Sequence, residues 1–280
     1  MRGMDKTYTG VSSFDGAARR PSPAGPFDRL RRLIAPERGD REDTQLAVAL
    51  CFVAGMTNAG GFLAVGQYTS HMSGVVSGLA DNLVLGATGM VLMGLGALGA
   101  FLAGAACSAI LINWGRRRAN TSQYALPLSL EAALLLLFGA LGMLRPAVPY
   151  FLDVAVPLLC FIMGLQNAII TKISRARIRT THMTGMVTDI GIELGKMLYW
   201  NRRSQDAVRA VGQDGARVQA DLAKLRLLSS LVGSFFGGGV LGALGFKVIG
   251  FSVTVPLALL LLLLAIVPLI DDLRRAPARR

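Results

Sequence analysis

The sequence predicts an all-α membrane protein of six transmembrane helices. They form two inverted-topology repeats of three spans, each repeat with a short re-entrant or broken helix. Three observations carry this expectation: the apolar windows, the placement of positive charge, and a motif that occurs twice. A spanning helix needs roughly 20 apolar residues. Six windows qualify: Leu46–Leu63, Thr88–Leu111, Leu126–Leu144, Val154–Thr171, Leu227–Phe246 and Val253–Ile270. The composition agrees, with 52% hydrophobic and 16% charged residues, against about a quarter charged in a soluble domain.

The net charge of +12 raises the question of nucleic acid. The arginines, however, sit in short clusters between apolar runs, and no nucleic-acid-binding motif is present. Positive-inside asymmetry accounts for them better. With the N-terminus inside and two polar stretches, 68–87 and 180–200, dipping in and returning on the same side, 27 of the 29 Lys and Arg residues fall inside. Only Arg145 and Lys247 lie outside. The charge rule therefore selects six spans with both termini in the cytoplasm of a bacterial cytoplasmic membrane. Full crossing by both polar stretches is the main competing topology.

Segments 1–43 and 273–280 read as basic cytoplasmic tails, and 1–28 lacks the apolar core of a signal peptide. Cys51, Cys107 and Cys160 all fall inside apolar runs without CxxC spacing, as buried small hydrophobes do.

The internal repeat organises the rest. Asn58-Ala59 matches Asn167-Ala168, and Thr69-Ser70-His71-Met72-Ser73-Gly74 matches Thr180-Thr181-His182-Met183-Thr184-Gly185. The chain has two histidines, and both stand in this motif. Downstream, Gly96, Ala100, Gly104 and Ser108 form a small-residue ridge that Ser230, Ser234, Gly238 and Gly242 repeat. Small residues at this spacing let helices approach closely in lipid, so Gly96, Gly104, Gly238 and Gly242 are expected packing positions. Repeat A then spans 44–144 and repeat B 145–272, with an insertion at 201–226 that reads as a cytoplasmic amphipathic helix. Three spans per repeat is an odd number, so the second repeat enters the membrane from the opposite side. Inverted repeats with broken helices at matching positions characterise transporters and some channels, whose sites lie near the midplane.

Hydroxyls preceding each histidine are good N-caps, which places helix starts at Thr69–His71 and Thr180–His182. A helix start presents free N–H donors and a partial positive charge. His71 and His182 are therefore the central candidates for a binding site, with Asn58, Asn167, Thr181 and Thr184 lining it. His182, Asp189, Glu193 and Lys196 share one helical face; Asp189 and Glu193 would carry protons or cations. At the same offsets the first half has His71, Gly78, Asn82 and Leu85, without carboxylates. The plainer alternative is that the histidines and asparagines hold helices together and the acidic cluster is an interfacial patch. Glu131 is an isolated intramembrane acid.

No metal spacing, nucleophile elbow, phosphate loop or dinucleotide pattern appears. The expectation is a non-enzyme without cofactor or metal. Its partners would be the lipid bilayer and a small solute or ion, with homo-oligomerisation left open and nucleic acid excluded. A membrane scaffold or regulatory protein is the alternative function.

The segments Asn58-Ala59-Gly60-Gly61-Phe62, Ser70-His71-Met72-Ser73-Gly74, Gln166-Asn167-Ala168 and Arg179-Thr180-Thr181-His182-Met183-Thr184-Gly185 resemble the YoaK family. That is a widespread group of bacterial membrane proteins of unknown function. The resemblance covers about residues 44–270. The family typically has Asp at the position of Asn58 and Asn at that of Val75, so this chain carries less polar capacity in its first half. The resemblance implies the membrane class and names no substrate.

Overall fold

A computed structural model describes residues 40–117, 123–147, 150–173, 183–199 and 219–275. Those residues are helical throughout, apart from turns. The helices are α1 (Asp40–Val65), α2 (Met72–Val84), α3 (Thr88–Arg117), α4 (Ala125–Met143), α5 (Phe151–Ile173), α6 (Met183–Leu198), α7 (Leu222–Ile249) and α8 (Thr254–Arg275).

Five segments are long and apolar enough to cross a membrane: Thr44–Val65, Thr88–Arg117, Ala125–Met143, Phe151–Lys172 and Leu222–Ile266. The last is 45 residues long and contains the expected window Leu227–Phe246 and most of Val253–Ile270. It is broken at Gly250, where φ is 59°, a conformation glycine adopts without steric cost. A 3-10 turn over Gly250–Val253 separates α7 from α8. The two polar stretches form the short helices α2 and α6, of 13 and 16 residues. The expected insertion ends earlier than its composition suggested. Residues 201–218 lie outside the described segments, while 222–226 already belong to α7. The Asp221 side chain ends the insertion by accepting the Lys224 N–H at 2.9 Å, a cap that starts a helix wherever it falls.

Two helix crossings hold the assembly: α1 against α7, and α3 against α5. Gly238 meets Phe52, Gly242 meets Met56 and Gly60 meets Phe246. These contacts advance in step along both chains, so α1 and α7 run parallel. At the closest point a Cβ on Gly55 would strike the Phe235 carbonyl oxygen, and one on Gly238 would strike that of Phe52. The α3–α5 crossing repeats this: Gly164 faces the Phe101 carbonyl and Gly104 that of Phe161. Each glycine thus turns a Cα hydrogen toward a carbonyl across the interface. Such contacts are worth about 0.5–1 kcal/mol each, and lipid supplies no hydrophobic drive between helices to replace them.

Of the four expected packing glycines, Gly104, Gly238 and Gly242 sit in these crossings. Gly96 does not. It is exposed, and no heavy atom lies within 4 Å of its would-be Cβ. The reason is geometric: α3 and α5 touch at Gly104 and diverge toward their N-termini, so a residue two turns earlier faces open space. Helices α4 and α8 pack together along their length, each with a proline at its third position, Pro127 and Pro256. An aromatic cluster of Phe138, Phe246, Phe251 and Phe151, in edge or tilted contacts at 5.6–6.4 Å, ties the ends of α4 and α7 to the start of α5.

A candidate solute cavity beside the first histidine motif

The chain turns at Gly66, φ 77°, and runs back alongside α1. Ser70 Oγ donates to Asn58 Oδ1 at 2.8 Å. Residue 58 lies seven residues before the end of α1 at Val65, which at about 1.5 Å per residue is roughly 10 Å down the helix. Helix α2 therefore begins well below the end of α1 and climbs back beside α3. Its N-cap is His71, with no side-chain capping bond. The hydroxyl capping expected from Thr69 and Ser70 is not what the structure does. Ser70 is drawn to Asn58, and Thr69 is buried with an unpartnered hydroxyl among the described residues. The motif's glycine has a clear purpose: a Cβ on Gly74 would meet the His71 ring. The imidazole lies across the first turn of α2, and Gly74 makes the room.

Between α2, α3 and the first half of α5 lies a cavity of about 580 Å³. His71 and Gly74 line it with Gly78 and Asn82 from α2; Met90 to Ala97 contribute from α3; Asp153, Val156, Pro157 and Cys160 contribute from α5. Gln67 and Tyr68 complete the wall, the Tyr68 ring stacked on Phe62 with centroids 4.6 Å apart. Asn82 donates its amide to the Gly78 carbonyl at 2.7 Å, so its Oδ1 is the end left for a ligand.

Of the expected site residues, His71 lines this cavity. Asn58 is buried beside it, engaged with Ser70, and is not among the lining residues. Asn167 is half-buried in α5 and accepts from Thr171 Oγ1 through its carbonyl. Thr184 is exposed on the first turn of α6. Thr181 and His182 lie outside the described residues, and with them the expected pairing of the two histidines.

Asp189 and Glu193 are both engaged with α7. Lys224 Nζ lies 3.3 Å from Asp189 and 3.8 Å from Glu193, and Lys196 Nζ lies 3.0 Å from Glu193. The Asp221 backbone N–H donates to Glu193 Oε2 at 2.9 Å. That N–H, then the Lys196 hydrogen bond and the nearby lysine charges, hold the Glu193 carboxyl below its ordinary value of 4.5. A carboxyl depressed by folding stabilises the fold above its unfolded pKa, and that contribution is lost as pH falls through its folded value. Wild-type thermal stability in detergent should accordingly decline below about pH 4.5. Glu193→Gln should be less stable at neutral pH and converge on wild type in acid. Parallel curves would show that the contact does not stabilise α7.

Glu131 on α4 is fully buried, and neither carboxyl oxygen has a hydrogen-bond partner among the described residues. Thr57, Ser108 and Gln166 are buried with unpartnered polar atoms in the same sense. No group of three or more His, Cys, Asp or Glu side chains that could hold a metal occurs among the described residues.

The family described as Protein of unknown function (DUF1275) matches residues 46–267. The chain belongs to that family. A DUF1275 chain is thus an all-helical membrane protein here, and the YoaK resemblance stands: the Bacillus subtilis (strain 168) UPF0700 transmembrane protein YoaK is 27% identical over 163 residues, covering 57% of this chain and 71% of that protein. No solved structure matches this DUF1275 chain. The matched segment contains the whole cavity. Its residues Asp153, Tyr68 and Cys160 were not singled out by sequence. Asp153 lies in the first turn of α5, and Cys160 reads from sequence as a buried small hydrophobe. A signal that marks the cavity, though not these three residues, is a comparison of the two halves: Gly94 and Ala97 stand where the second half has Leu228 and Leu231.

Proposed function

We propose that the chain is a small-solute transporter of the bacterial cytoplasmic membrane. It would be built from six spans in two inverted repeats, with both termini inside and the cavity facing outside. The observation that carries this is the cavity together with its filled counterpart. Counting from the crossing glycines, Cys160 corresponds to Cys51, Ala97 to Leu231 and Gly94 to Leu228; counting from the histidines, Val75 corresponds to Met186. The first member of each pair lines or borders the cavity. The second members, Cys51, Met186, Leu228 and Leu231, pack into one buried cluster. Likewise Gly78 and Asn82 line the cavity, whereas Asp189 and Glu193 at the same offsets are ion-paired to Lys224. One vestibule open and its symmetry mate closed is the asymmetry that alternating access requires of inverted repeats. The two reciprocal glycine crossings, each joining a helix of one half to a helix of the other, have the same pattern and support the repeat itself.

The test is two-sided thiol accessibility in a chain with Cys51, Cys107 and Cys160 replaced. Gly96→Cys should react with an impermeant maleimide from outside, as should Ala147→Cys and Gly250→Cys; Gln123→Cys and Gln219→Cys should react from the cytoplasm. Adding Asp189→Ala with Glu193→Ala should expose Leu231→Cys, whose position is fully buried in the filled counterpart, to the cytoplasm and protect Gly96→Cys. If the two vestibules respond independently, the transporter proposal fails and a static scaffold remains.

A further inference from the structure

Resting on that transporter reading, we infer that the cavity takes a small organic monocation with an apolar body, such as an alkyl or aryl ammonium. Asp153 is the lining carboxylate, and no Lys or Arg lines the cavity among the described residues. An anion would face that carboxylate with no counter-charge. Hard inorganic cations seek six or more oxygen ligands, and the Asp153 carboxylate, the amide oxygens of Gln67 and Asn82 and the Tyr68 hydroxyl supply five among the described residues. A polyol would press unpaired hydroxyls against Leu79, Met90, Met93, Val156 and Pro157, and each unmet polar group in such a place is costly.

What remains matches the wall feature by feature. Asp153 and the free Asn82 Oδ1 lie toward the N-terminal end of α5 and the C-terminal end of α2, while Val75, Ala97 and Cys160 form the opposite end. Along α5 the span from Asp153 to Cys160 is seven residues, or about 10 Å, room for a charged head at one end and a short hydrocarbon body at the other. The Tyr68 ring, held by its stack on Phe62, offers a face to a cation. The methionines supply a soft, adaptable wall.

The experiment uses the full chain, purified, with three probes of one shape: hexyltrimethylammonium, hexanesulfonate and hexanol. Binding is read by ligand-observed NMR saturation transfer and calorimetry. Hexyltrimethylammonium should bind and the other two should not. Asp153→Asn should weaken it by about tenfold or more, the usual effect of losing a charged partner. Gly94→Leu, which grows toward the flexible end of Leu79, should abolish it. Asp153→Asn should keep wild-type elution and thermal stability, because Asp153 is exposed and makes no ion pair among the described residues, and Gly94→Leu should keep wild-type elution as the Leu79 side chain gives way. Equal binding of the anion or the alcohol, cation binding untouched by either substitution, or no binding at all would each overturn the inference. Any of these with the two-sided accessibility change intact leaves the transporter reading standing; loss of that change removes both.

Discussion

Replacing Gly104 or Gly238 by leucine is expected to abolish the folded protein. In both cases the new side chain would have to occupy the position of a backbone carbonyl, that of Phe161 or Phe52. A flexible side chain could move aside; a helix backbone cannot, without separating a pair of helices that joins one half to the other. Overpacking in a tight interior typically costs about 1–3 kcal/mol, and more where backbone must shift. Native folds have a total margin of only about 5–15 kcal/mol, and separating this crossing removes the contacts that supply much of it. Gly104→Ala and Gly238→Ala should already lower thermal stability sharply. Gly96→Ala and Gly99→Ala, on the same helix with open space around them, should leave it unchanged or raise it, since alanine is the better helix former. Yield of monodisperse protein and its melting temperature read both outcomes. Tolerance of leucine at Gly104 would show that the α3–α5 crossing is looser than drawn.

The second large effect has the opposite sign. Glu131→Leu should stabilise the protein by roughly 1–3 kcal/mol, the cost commonly attached to a buried polar group without a partner. Leucine is close in size to glutamate and brings no group to satisfy, and the residues around it, Leu128, Ala132 and Leu135, belong to the main apolar core. Glu131→Gln keeps unmet donors and acceptors and should gain less. Acids inside membranes are rare and are retained where they act. A leucine variant that is more stable and has lost solute flux would therefore mark Glu131 as part of the working machinery. A variant that is less stable would mean the carboxyl has a partner beyond the described residues.

Much of the architecture is legible in the sequence because lipid imposes so strict a rule on backbone polar groups. The windows beginning at Thr88, Leu126 and Val253 differ from the helix starts at Thr88, Ala125 and Thr254 by at most one residue. The short helices are legible too, with starts at Met72 and Met183 inside the stretches whose polarity set them apart. Less legible is what each small residue is for. The ridge of Gly96, Gly104, Gly238 and Gly242 treats four glycines alike, yet one faces a cavity and three face carbonyls. Periodicity records that a face is small, not whether a neighbour arrives there. A sharper mark was present: Phe52, Phe101, Phe161 and Phe235 each stand three residues before a crossing glycine. The histidine motif shows the same limit. Its capping hydroxyls were read locally, whereas the partner that claims Ser70 is twelve residues away on another helix.

The pairing of α1 with α7 has a consequence for how the chain is made. The first apolar helix to leave the ribosome finds its main partner only when residues near 238 have been synthesised, some 186 positions after Phe52. Until then Gly55, Met56 and Gly60 stand in the bilayer with their native neighbour absent. The nascent protein must carry an unfinished, small-residue surface through most of its own translation, and any chain interrupted before α7 strands that surface permanently. A ribosomal stall upstream of residue 222 would therefore hand the membrane quality-control machinery an exposed glycine face, and the long wait is built into the order in which the helices are connected.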